Sequence, residues 1–555
     1  MLFSTLNIRL LMIIVWWGLY ACKPSQTNTS TPTEEEKDSV KEGIQGKWVG
    51  GVDFEPYPEL VSFQFDTIAL IRMFYKGVDL YEPADFSFEP QTGNISFSIL
   101  QYPLYEGKFD GKFDGERITG NFKDKDGTYA CSFIRIRPVT LEKLGNMLGF
   151  FSFDSNRVVQ IEPFALDMSH TALLMLDYLS GKKRVLFPQN NYRFLGGKKM
   201  LSPYPAEIEL VFEFEESQKL KSVSYLDLTT SSPVLKGTRL PDLTEEEPFL
   251  AQNDSVSLYG TITYPNGKPP FPLVIFVPGA GEQFRGKMFD EYVKILPYFG
   301  IAVLRYDKRG CGESTGNRLT STFEDFANDL VAVIQKTKTL KKIQTQKIGL
   351  VGFDQASYVM PIALSKTKDI QFMVIISGAV VSLEEQEYHA TQLRMKADGY
   401  TIEAIQEALH YQRKMFQYLR GEIDSLTLQR ASDEIAPKPW SDYVTLFENK
   451  FFMNWWRKTH AFSPAPFLND LRIPILVLYG EKDLLVPLDK NKPLMEAYLQ
   501  NTGHPESKLI IYPNANHLLM LGEKRGDLQL SEIEGYAPAV FMDILSWIKN
   551  QLALN

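Results

Sequence analysis

The pattern of apolar and polar positions divides the chain into two regions. From residue 44 to about residue 245, short apolar runs alternate with Gly/Asp turns, and "GKFDGKFDGERITGNF" (107–122) alternates apolar and polar residues at period two. This alternation predicts half-buried antiparallel strands. From about residue 250, continuous apolar runs are separated by segments of helical length. That pattern predicts a parallel sheet covered by helices on both faces.

These patterns predict three domains, which a chain of 555 residues can accommodate. A small β-barrel-like domain is expected over 44–140, because its opening "GKWVGG" resembles the first strand of lipocalin-like barrels. A second β domain is expected over 145–245, and an α/β domain over 250–555. Within the α/β domain, 384–468 is polar, helical in period and rich in aromatic residues. Its place between the fourth and fifth buried strands predicts a helical lid.

Composition and charge narrow the classes of partner. The net charge is −9, and Lys and Arg are spread along the chain without a basic block, which argues against nucleic-acid binding. A small-molecule partner fits better. The sequence shows no Cys/His cluster that would predict a metal site. No cofactor is expected. Cys131 and Cys311 fall in different predicted domains, so no disulfide is expected.

The N-terminus has the pattern of an export signal. Arg9 precedes the apolar run "LLMIIVWWGLYA" (10–21), which ends at Cys22. The run is short for a membrane span and suits the apolar core of a signal peptide over 1–22. A Ser/Thr/Glu-rich segment follows over 23–43, with the composition of a disordered tether.

The ending "LYAC" (19–22) resembles a bacterial lipobox. The resemblance implies that Cys22 is lipidated and becomes the mature N-terminus, anchoring the protein to a membrane of the bacterial cell envelope. Lys23 stands where lipoproteins of the inner membrane carry Asp, which implies the outer membrane. A plain signal peptide and a single N-terminal anchor helix are the alternatives.

Three polar side chains follow three of the predicted parallel strands. Asp354 follows "KIGLVGF", Asp483 follows "PILVLYGEK", and His517 follows "KLIIYPNAN". Open α/β sheets place their sites at these strand ends. Taken singly, an Asp is commonly a turn residue, and a lone His is more often structural. The chain has only six histidines, however, and all three residues lie at strand ends in the order nucleophile, acid, histidine. Together they predict a catalytic site.

Four segments make the family resemblance specific: "RYDKRGCGESTG" (305–316), "IGLVGFDQAS" (348–357), "LYGEKDLLVP" (478–487) and "YPNANH" (512–517). They resemble, in order, loops of the α/β-hydrolases that include bacterial esterases and the serine aminopeptidase group. The resemblance covers residues 250–555 and implies the α/β-hydrolase fold. "GESTG" (312–316) also fits the nucleophile pattern G-x-S-x-G, but Ser314 lies several residues beyond its strand. It is therefore interpreted as a loop-structuring residue.

Asp354 stands where these families carry the nucleophilic serine. The turn between strand and helix is tight, and the small residues Gly352 and Ala356 satisfy it. A carboxylate needs no base before it attacks. Epoxide hydrolases and haloalkane dehalogenases, which are related, form an ester on such an aspartate. The resemblance implies that His517, oriented by Asp483, then activates the water that hydrolyses the ester.

The loops around Asp354 leave two interpretations open: an active site, and a site that has lost its activity. Backbone donors for an oxyanion are available at Ala280, Gly281 and Gln355. Gln355, however, replaces the tryptophan of the aspartate-using families, and Pro278 and Phe353 replace polar residues of the esterase pattern. Such drift is also typical of a site that has lost activity.

The predicted lid indicates what kind of substrate to expect. Its tryptophans are Trp440, Trp455 and Trp456. Their pattern favours a place in the lid core over a place in the substrate wall. If some of them face the cleft, the substrate is apolar or aromatic.

Two functional hypotheses follow from the sequence. The first is a lipid-anchored extracytoplasmic hydrolase that acts on carboxylic-ester-like or small electrophilic substrates. The second is a catalytically inactive hydrolase-fold protein that binds a ligand or partner.

Overall fold

The structure is a computed structural model, and it describes residues 43–52, 59–65, 69–73, 78–101, 105–137, 139, 141–153, 157–166, 171–243, 245–286, 290–444, 450–522 and 533–554. The predicted signal peptide and nearly all of the tether lie outside the described residues. Among the described residues, no helix combines the length and apolarity needed to cross a bilayer.

The first domain is a nine-stranded antiparallel sheet in the order β4-β3-β2-β1-β9-β8-β7-β6-β5. In β7, buried and exposed positions alternate, as the period-two pattern predicts. The inward side chains include six phenylalanines, several of which contact one another, such as Phe63 and Phe133, whose ring centroids are 4.4 Å apart. The strands are Gly46–Val52 (β1), Glu59–Phe65 (β2), Ala69–Met73 (β3), Val78–Tyr81 (β4), Ala84–Glu89 (β5), Asn94–Gln101 (β6), Tyr105–Phe113 (β7), Arg117–Asp124 (β8) and Thr128–Ile136 (β9).

The second domain is a closed eight-stranded barrel, β10 to β17 in sequential order. β10 pairs with both β11 and β17, which closes the barrel. Its interior is filled by apolar side chains such as Phe151, Phe194 and Leu210. A short helix, Leu141–Gly145 (α1), precedes it. The strands are Gly149–Phe153 (β10), Arg157–Ala165 (β11), Thr171–Asp177 (β12), Lys183–Pro188 (β13), Arg193–Gly197 (β14), Ala206–Phe214 (β15), Leu220–Asp227 (β16) and Leu235–Arg239 (β17).

Both β domains are barrel-like sheets, and among the described residues the second one is closed. The lipocalin-like opening at Gly46 belongs to the nine-stranded sheet, in which β4 and β5 are the two edge strands. The closed barrel is the second β domain. Alternation predicts strands in both domains, but closure depends on which strands meet at the edges, and that pairing has no local sequence signal.

The C-terminal domain is built on an eight-stranded sheet in the order β18-β19-β21-β20-β22-β23-β24-β25. The first two strands form an antiparallel hairpin, and the strands from β20 to β25 pair in parallel. The central strands are buried along their whole length, as continuous apolar runs predict. The strands are Glu246–Asn253 (β18), Val256–Thr263 (β19), Phe271–Val277 (β20), Ala302–Tyr306 (β21), Ile343–Phe353 (β22), Phe372–Ile376 (β23), Ile475–Gly480 (β24) and Lys508–Tyr512 (β25).

Helices cover both faces of this sheet. One face packs against α3, α4, α9 and α10, and the other packs against α2 and α11. These helices are Glu291–Lys294 (α2), Phe323–Thr337 (α3), Ala356–Lys366 (α4), Ala465–Asp470 (α9), Leu488–Thr502 (α10) and Val540–Gln551 (α11). The predicted α/β architecture is thus present.

Between β23 and β24, four helices precede α9 and form what we call the helical insertion. Side-chain caps begin three of them: Ser382 at α5, Thr401 at α6 and Asp424 at α7. The insertion has its own apolar core, which includes Trp440. Its helices are Leu383–Ala397 (α5), Ile402–Leu419 (α6), Ser425–Ile435 (α7) and Lys450–Thr459 (α8).

The barrel docks on the face of the sheet that carries α2 and α11. Val158, Leu176 and Tyr178 of the barrel belong to the apolar cluster of that face. The hairpin of Met520–Gly522 (β26) and Ile533–Tyr536 (β27) reaches the barrel, and the Tyr536 N–H donates to the Gly181 carbonyl at 2.7 Å. The junction combines apolar burial with backbone hydrogen bonds, which favours one fixed arrangement.

A buried ion pair also crosses this junction. Lys183 Nζ lies 2.6 Å from Glu291 Oε1, and both side chains are less than one-fifth exposed. The Tyr536 hydroxyl donates to the same carboxylate. Burial alone would raise the pKa of Glu291, but the charge and hydrogen bond of Lys183 outweigh it, and the pKa is lowered. The pair therefore contributes stability above the usual Glu pKa, and this contribution is lost as the pH falls through the lowered value.

We expect Lys183→Met to lower the free energy of unfolding by up to about 3 kcal/mol, because it leaves a buried carboxylate without its cation. Adding Glu291→Gln to that variant should restore much of the loss. Lys198→Met is the control, because Lys198 pairs with Glu534 at the same junction with a half-exposed side chain and should cost less than about 1 kcal/mol. Equal losses in both single variants, measured by urea unfolding, would contradict the prediction.

Candidate active site

The turn that follows β22 has the geometry of a nucleophile elbow. β22 ends at Phe353 and α4 begins at Ala356, so only Asp354 and Gln355 lie between strand and helix. Asp354 has φ +52°, in the left-handed region that few side chains adopt readily. Its N–H donates to the Ile376 carbonyl of β23 at 2.8 Å. The neighbouring strand therefore holds the strained residue in place.

Small neighbours make this turn possible. A Cβ atom on Gly352 would lie 2.5 Å from the Ala356 Cβ and 2.6 Å from the Met360 Cε. Both distances are shorter than van der Waals contact. Ala356 is itself completely buried. The small residues that the sequence singled out on both sides of Asp354 thus have a steric reason.

Asp483 and His517 follow the neighbouring strands β24 and β25, and they form a buried pair. Asp483 is 3% exposed, and its Oδ1 accepts hydrogen bonds from the N–H groups of Leu485 and Val486, each at 2.8 Å. Its Oδ2 lies 2.8 Å from His517 Nδ1. An ionised carboxylate only accepts hydrogen bonds, so Nδ1 carries the proton. Nε2 is then the basic nitrogen of the neutral ring.

The basic nitrogen of His517 faces Asp354. Nε2 lies 3.9 Å from Asp354 Oδ1, which is longer than a hydrogen bond and close enough for strong electrostatic coupling. The Phe353 ring packs against the imidazole at an interplanar angle of 67° with centroids 5.1 Å apart. The structure thus brings together the three residues that the sequence proposed as catalytic.

The charges around His517 favour its protonated form more than the surroundings of an ordinary histidine do. The residue is 7% exposed, and burial by itself would lower its pKa. The charge and hydrogen bond of Asp483, with the charge of Asp354, outweigh burial and raise the pKa above its ordinary value. A histidine with this pKa can accept a proton from water and hold the resulting charge between two carboxylates.

The predicted backbone donors lie around Asp354. Ala280, Gly281 and Gln355 all line one cavity with it. Lys308 connects the loop of Ala280 and Gly281 to Gln355. Its Nζ donates to the Gly279 carbonyl at 2.8 Å and to Gln355 Oε1 at 2.6 Å. Burial lowers the pKa of Lys308 to about 8, so the side chain is mostly charged at neutral pH.

The cavity above the elbow has a volume of about 360 Å³. Its apolar wall is formed by side chains such as Leu319, Phe326, Trp455 and Trp456. Of the three tryptophans predicted in the lid, two therefore line the cavity, and Trp440 packs in the core of the helical insertion. Ionisable groups complete the lining: Lys308, Arg318, Asp354, Glu387, Arg394 and His517.

Ser314 has the structural role that its position predicts. It is buried, its Oγ donates to the Asp307 carbonyl at 2.8 Å, and it accepts from the N–H of Tyr259 at 2.9 Å. These bonds tie the loop after β21 to β19. The serine of "GESTG" is thus held away from the elbow by its own hydrogen bonds.

Sequence reasoning did not single out Lys308, Arg318, Glu387 or Arg394. Lys308 lies two residues beyond the end of β21, so the rule that sites gather at strand ends could have found it. Glu387 and Arg394 lie on α5 among many other polar residues, and no local signal marks them.

The described residues contain no group of three or more His, Cys, Asp or Glu side chains that could hold a metal ion. Cys131 and Cys311 are both free thiols.

Known proteins are similar to the part of the chain that carries this site. Residues 268–525 match a family model described as serine aminopeptidase, S33. Esterase EstD of Thermotoga maritima is 25% identical over 301 residues, which are 51% of this chain and 63% of EstD. The AB hydrolase superfamily protein YisY of Bacillus subtilis is 22% identical over 250 residues, 44% of this chain and 85% of YisY.

Solved structures are similar at lower identity. Est1E of Butyrivibrio proteoclasticus, with ferulic acid bound, is 18% identical, has a TM-score of 0.37, and is matched over 99% of its chain and 55% of this one.

The family match and the two relatives support the assignment of this chain to the α/β-hydrolase superfamily. They also support its assignment as a hydrolase. The matched region carries the elbow, the acid and the histidine. The predicted α/β-hydrolase fold is confirmed at this level.

We expect Gly352→Ala to disrupt the elbow, because the added methyl group must displace Ala356 or Met360. Such overpacking costs about 1–3 kcal/mol of stability. Gly145→Ala is the matched control, because a Cβ at Gly145 meets nothing within 4 Å, and its effect should stay within about 1 kcal/mol. Thermal unfolding of both variants tests this, and equal transition temperatures would contradict it.

A second prediction concerns the titration of His517, which NMR can follow with His517→Gln to assign its signal. The wild-type pKa should lie above the ordinary histidine value. Asp483→Asn should lower it, because burial is then opposed only by the charge of Asp354. The raised pKa contributes stability at low pH that is lost as the pH rises through it. A pKa unchanged by Asp483→Asn would contradict the assigned pairing.

Proposed function

We propose that this protein is a hydrolase in which Asp354 is the nucleophile, His517 the base and Asp483 the residue that orients the base. Its substrates are small electrophiles or ester-like compounds with an apolar or aromatic part. The observation that carries the proposal is the placement of Asp354: a left-handed residue at the elbow, with an oxygen 3.9 Å from His517 Nε2.

The first step would be attack by an Asp354 carboxylate oxygen on a saturated carbon of the substrate. A carbon–oxygen bond forms to Asp354, the bond from that carbon to its leaving group breaks, and the product of this step is an ester of Asp354. No base is needed for this step, because a carboxylate nucleophile has no proton to lose.

The second step would be hydrolysis of that ester. His517 Nε2 takes a proton from water while Nδ1–H remains bonded to Asp483, and the hydroxide attacks the carbonyl carbon of Asp354. The bond from that carbon to the substrate oxygen then breaks, the released oxygen takes the proton of the hydroxide, and Asp354 becomes a carboxylate again. His517 returns its proton to solvent. The oxyanion that forms on Asp354 is stabilised by N–H donors from Gln355 and from Ala280 or Gly281. Lys308 supports this arrangement, because it holds the Gln355 side chain and the Gly279 carbonyl together.

A saturated carbon suits this site better than an ordinary ester carbonyl. Attack of a carboxylate on an ester carbonyl gives an anhydride, which is a poor intermediate. EstD is named as an esterase and is 25% identical over about half of this chain. We therefore carry ester hydrolysis over to this protein as a proposal. The aspartate at the elbow therefore moves the proposed chemistry from ester carbonyls towards small electrophiles.

The second candidate is a catalytically inactive hydrolase-fold protein that binds a ligand in the same cavity. Gln355, Phe353 and Pro278, which replace residues of the related families, favour it. In that case Asp354 and His517 form an ion pair of no catalytic consequence.

A single turnover in heavy-oxygen water tests the nucleophile. The expected result is that the label enters the Asp354 carboxylate and is absent from the first product molecule. His517→Gln should accumulate one covalent adduct per chain, mapped to Asp354 by mass spectrometry. Label that enters the product directly, with no adduct, would refute the nucleophilic role.

Two further variants separate the candidates. Asp354→Asn should abolish the adduct while leaving ligand binding in place. Asp354→Ser, if it creates activity on aryl esters, would identify a serine-hydrolase frame with a substituted nucleophile. Ligand binding with no turnover in any form would support the inactive candidate.

We also propose that the protein is exported and lipid-anchored at Cys22 in the bacterial envelope, on the basis of the lipobox-like "LYAC". Cys22→Ser should abolish incorporation of labelled fatty acid and release the protein into the soluble fraction. Cys131→Ser is the control and should change neither. A wild-type protein that carries no lipid would refute this proposal.

A further inference from the structure

Glu387 is the one acidic residue of α5 that lines the cavity above the elbow. Leu383, Gln386, Glu387, Ala390 and Arg394 all line that cavity, and their spacing places them on a single face of the helix. The helical insertion therefore supplies one wall of the site, and Glu387 is the acid on that wall. Asp354, which follows β22 of the sheet, lines the same cavity.

The other acidic residues of α5 have structural partners. Glu384 binds Arg420 and His460, and Glu385 completes the capping box with Ser382. Glu387 makes no hydrogen bond and no salt bridge within 4 Å with any residue that the structure describes. Its half-buried carboxyl group is therefore available to interact with a ligand in the cavity.

The electrostatic surroundings favour the neutral acid. Burial raises the pKa of Glu387, Arg394 opposes that rise, and the negative charge of Asp354 adds to it, so the pKa is raised overall. Glu387 thus keeps its proton at a higher pH than an ordinary glutamate. A protonated carboxyl group can donate to an oxygen atom of a ligand in the cavity.

We propose that Glu387 is the general acid that protonates the leaving oxygen when Asp354 attacks, and that the substrates are epoxides with an aryl or other apolar substituent. This inference rests on the proposed nucleophilic role of Asp354. An epoxide fits because its leaving group is an alkoxide that stays attached to the substrate and needs a proton. The apolar wall of Phe326, Trp455 and Trp456 would hold the substituent.

The atoms balance over the cycle. An Asp354 oxygen bonds to an epoxide carbon, the bond from that carbon to the ring oxygen breaks, and the ring oxygen takes the proton of Glu387. The intermediate is a hydroxyalkyl ester of Asp354 opposite an ionised Glu387. Water loses a proton to His517, and the hydroxide cleaves the ester to a diol. The proton on His517 then returns to Glu387 through solvent, and the net reaction is epoxide plus water to diol.

The charge of Asp354 couples its attack on the epoxide to proton donation by Glu387. Asp354 loses its negative charge when it becomes an ester, and that charge is one cause of the raised pKa of Glu387. Glu387 therefore becomes a stronger acid as the carbon–oxygen bond forms, when the leaving oxygen becomes basic. Arg394 is placed to stabilise the carboxylate that results. The acid is weak before the reaction and strong during it.

The test compares two electrophiles that differ in the leaving group. Styrene oxide and benzyl bromide both present a benzylic carbon, but bromide leaves without a proton and the epoxide oxygen does not. Adduct formation on Asp354 is followed by mass spectrometry in the His517→Gln background. Glu387→Gln preserves the shape and neutral charge of the acid and removes its proton. We expect alkylation by styrene oxide to slow at least about 100-fold, and alkylation by benzyl bromide to change less than about threefold.

Glu385→Gln is the matched control, because Glu385 is exposed on the same helix and glutamine also completes a capping box. It should leave both rates unchanged. If Glu387→Gln slows neither probe, or slows both equally, Glu387 is not the acid. Alkylation of Asp354 by neither probe in the His517→Gln parent would instead overturn the nucleophilic role, and this inference with it.

Discussion

The turn after β22 is the constraint on which the candidate site depends. It reverses the chain within two residues, so Asp354 must adopt a left-handed conformation and Gly352 must lack a side chain. The hydrogen bond from Asp354 to the Ile376 carbonyl ties the turn to the next strand. The sheet therefore supports the strain, and the carboxylate projects at the edge where β24 and β25 bring Asp483 and His517.

Burial and charge act together around that edge. Asp483 is bound by two backbone N–H groups and by His517, so its orientation is fixed on three sides. That arrangement determines which imidazole nitrogen is basic. Two carboxylates near one histidine also allow the ring to hold a proton that burial would otherwise expel. The same carboxylate at Asp354 raises the pKa of Glu387, so one charge influences a group after the sheet and a group on the helical insertion.

The described residues of the two β domains lie outside this site. Every described residue that lines the cavity lies between Ala280 and His517, so neither β domain contributes to its wall. The barrel instead packs against α2, α11 and the β27 hairpin on one face of the sheet. The buried pair of Lys183 and Glu291 helps hold that contact. The C-terminal domain is thus built to complete its own site while one of its faces is covered by the barrel.

Local sequence determined the strands, the small residues of the elbow and the three strand-end side chains, because each depends on residues close to it in the chain. Alternation at period two predicts half-buried strands, and continuous apolar runs predict the buried parallel strands. Small residues beside Asp354 are required by a turn of two residues. Tertiary structure decided which of the two β domains closes into a barrel, because closure depends on edge strands that are distant in sequence. It also placed Lys308 between Gly279 and Gln355, and Glu387 in one cavity with Asp354. Those contacts depend on how a loop and an inserted helix pack over the sheet, and no periodic or turn signal in the chain records that packing.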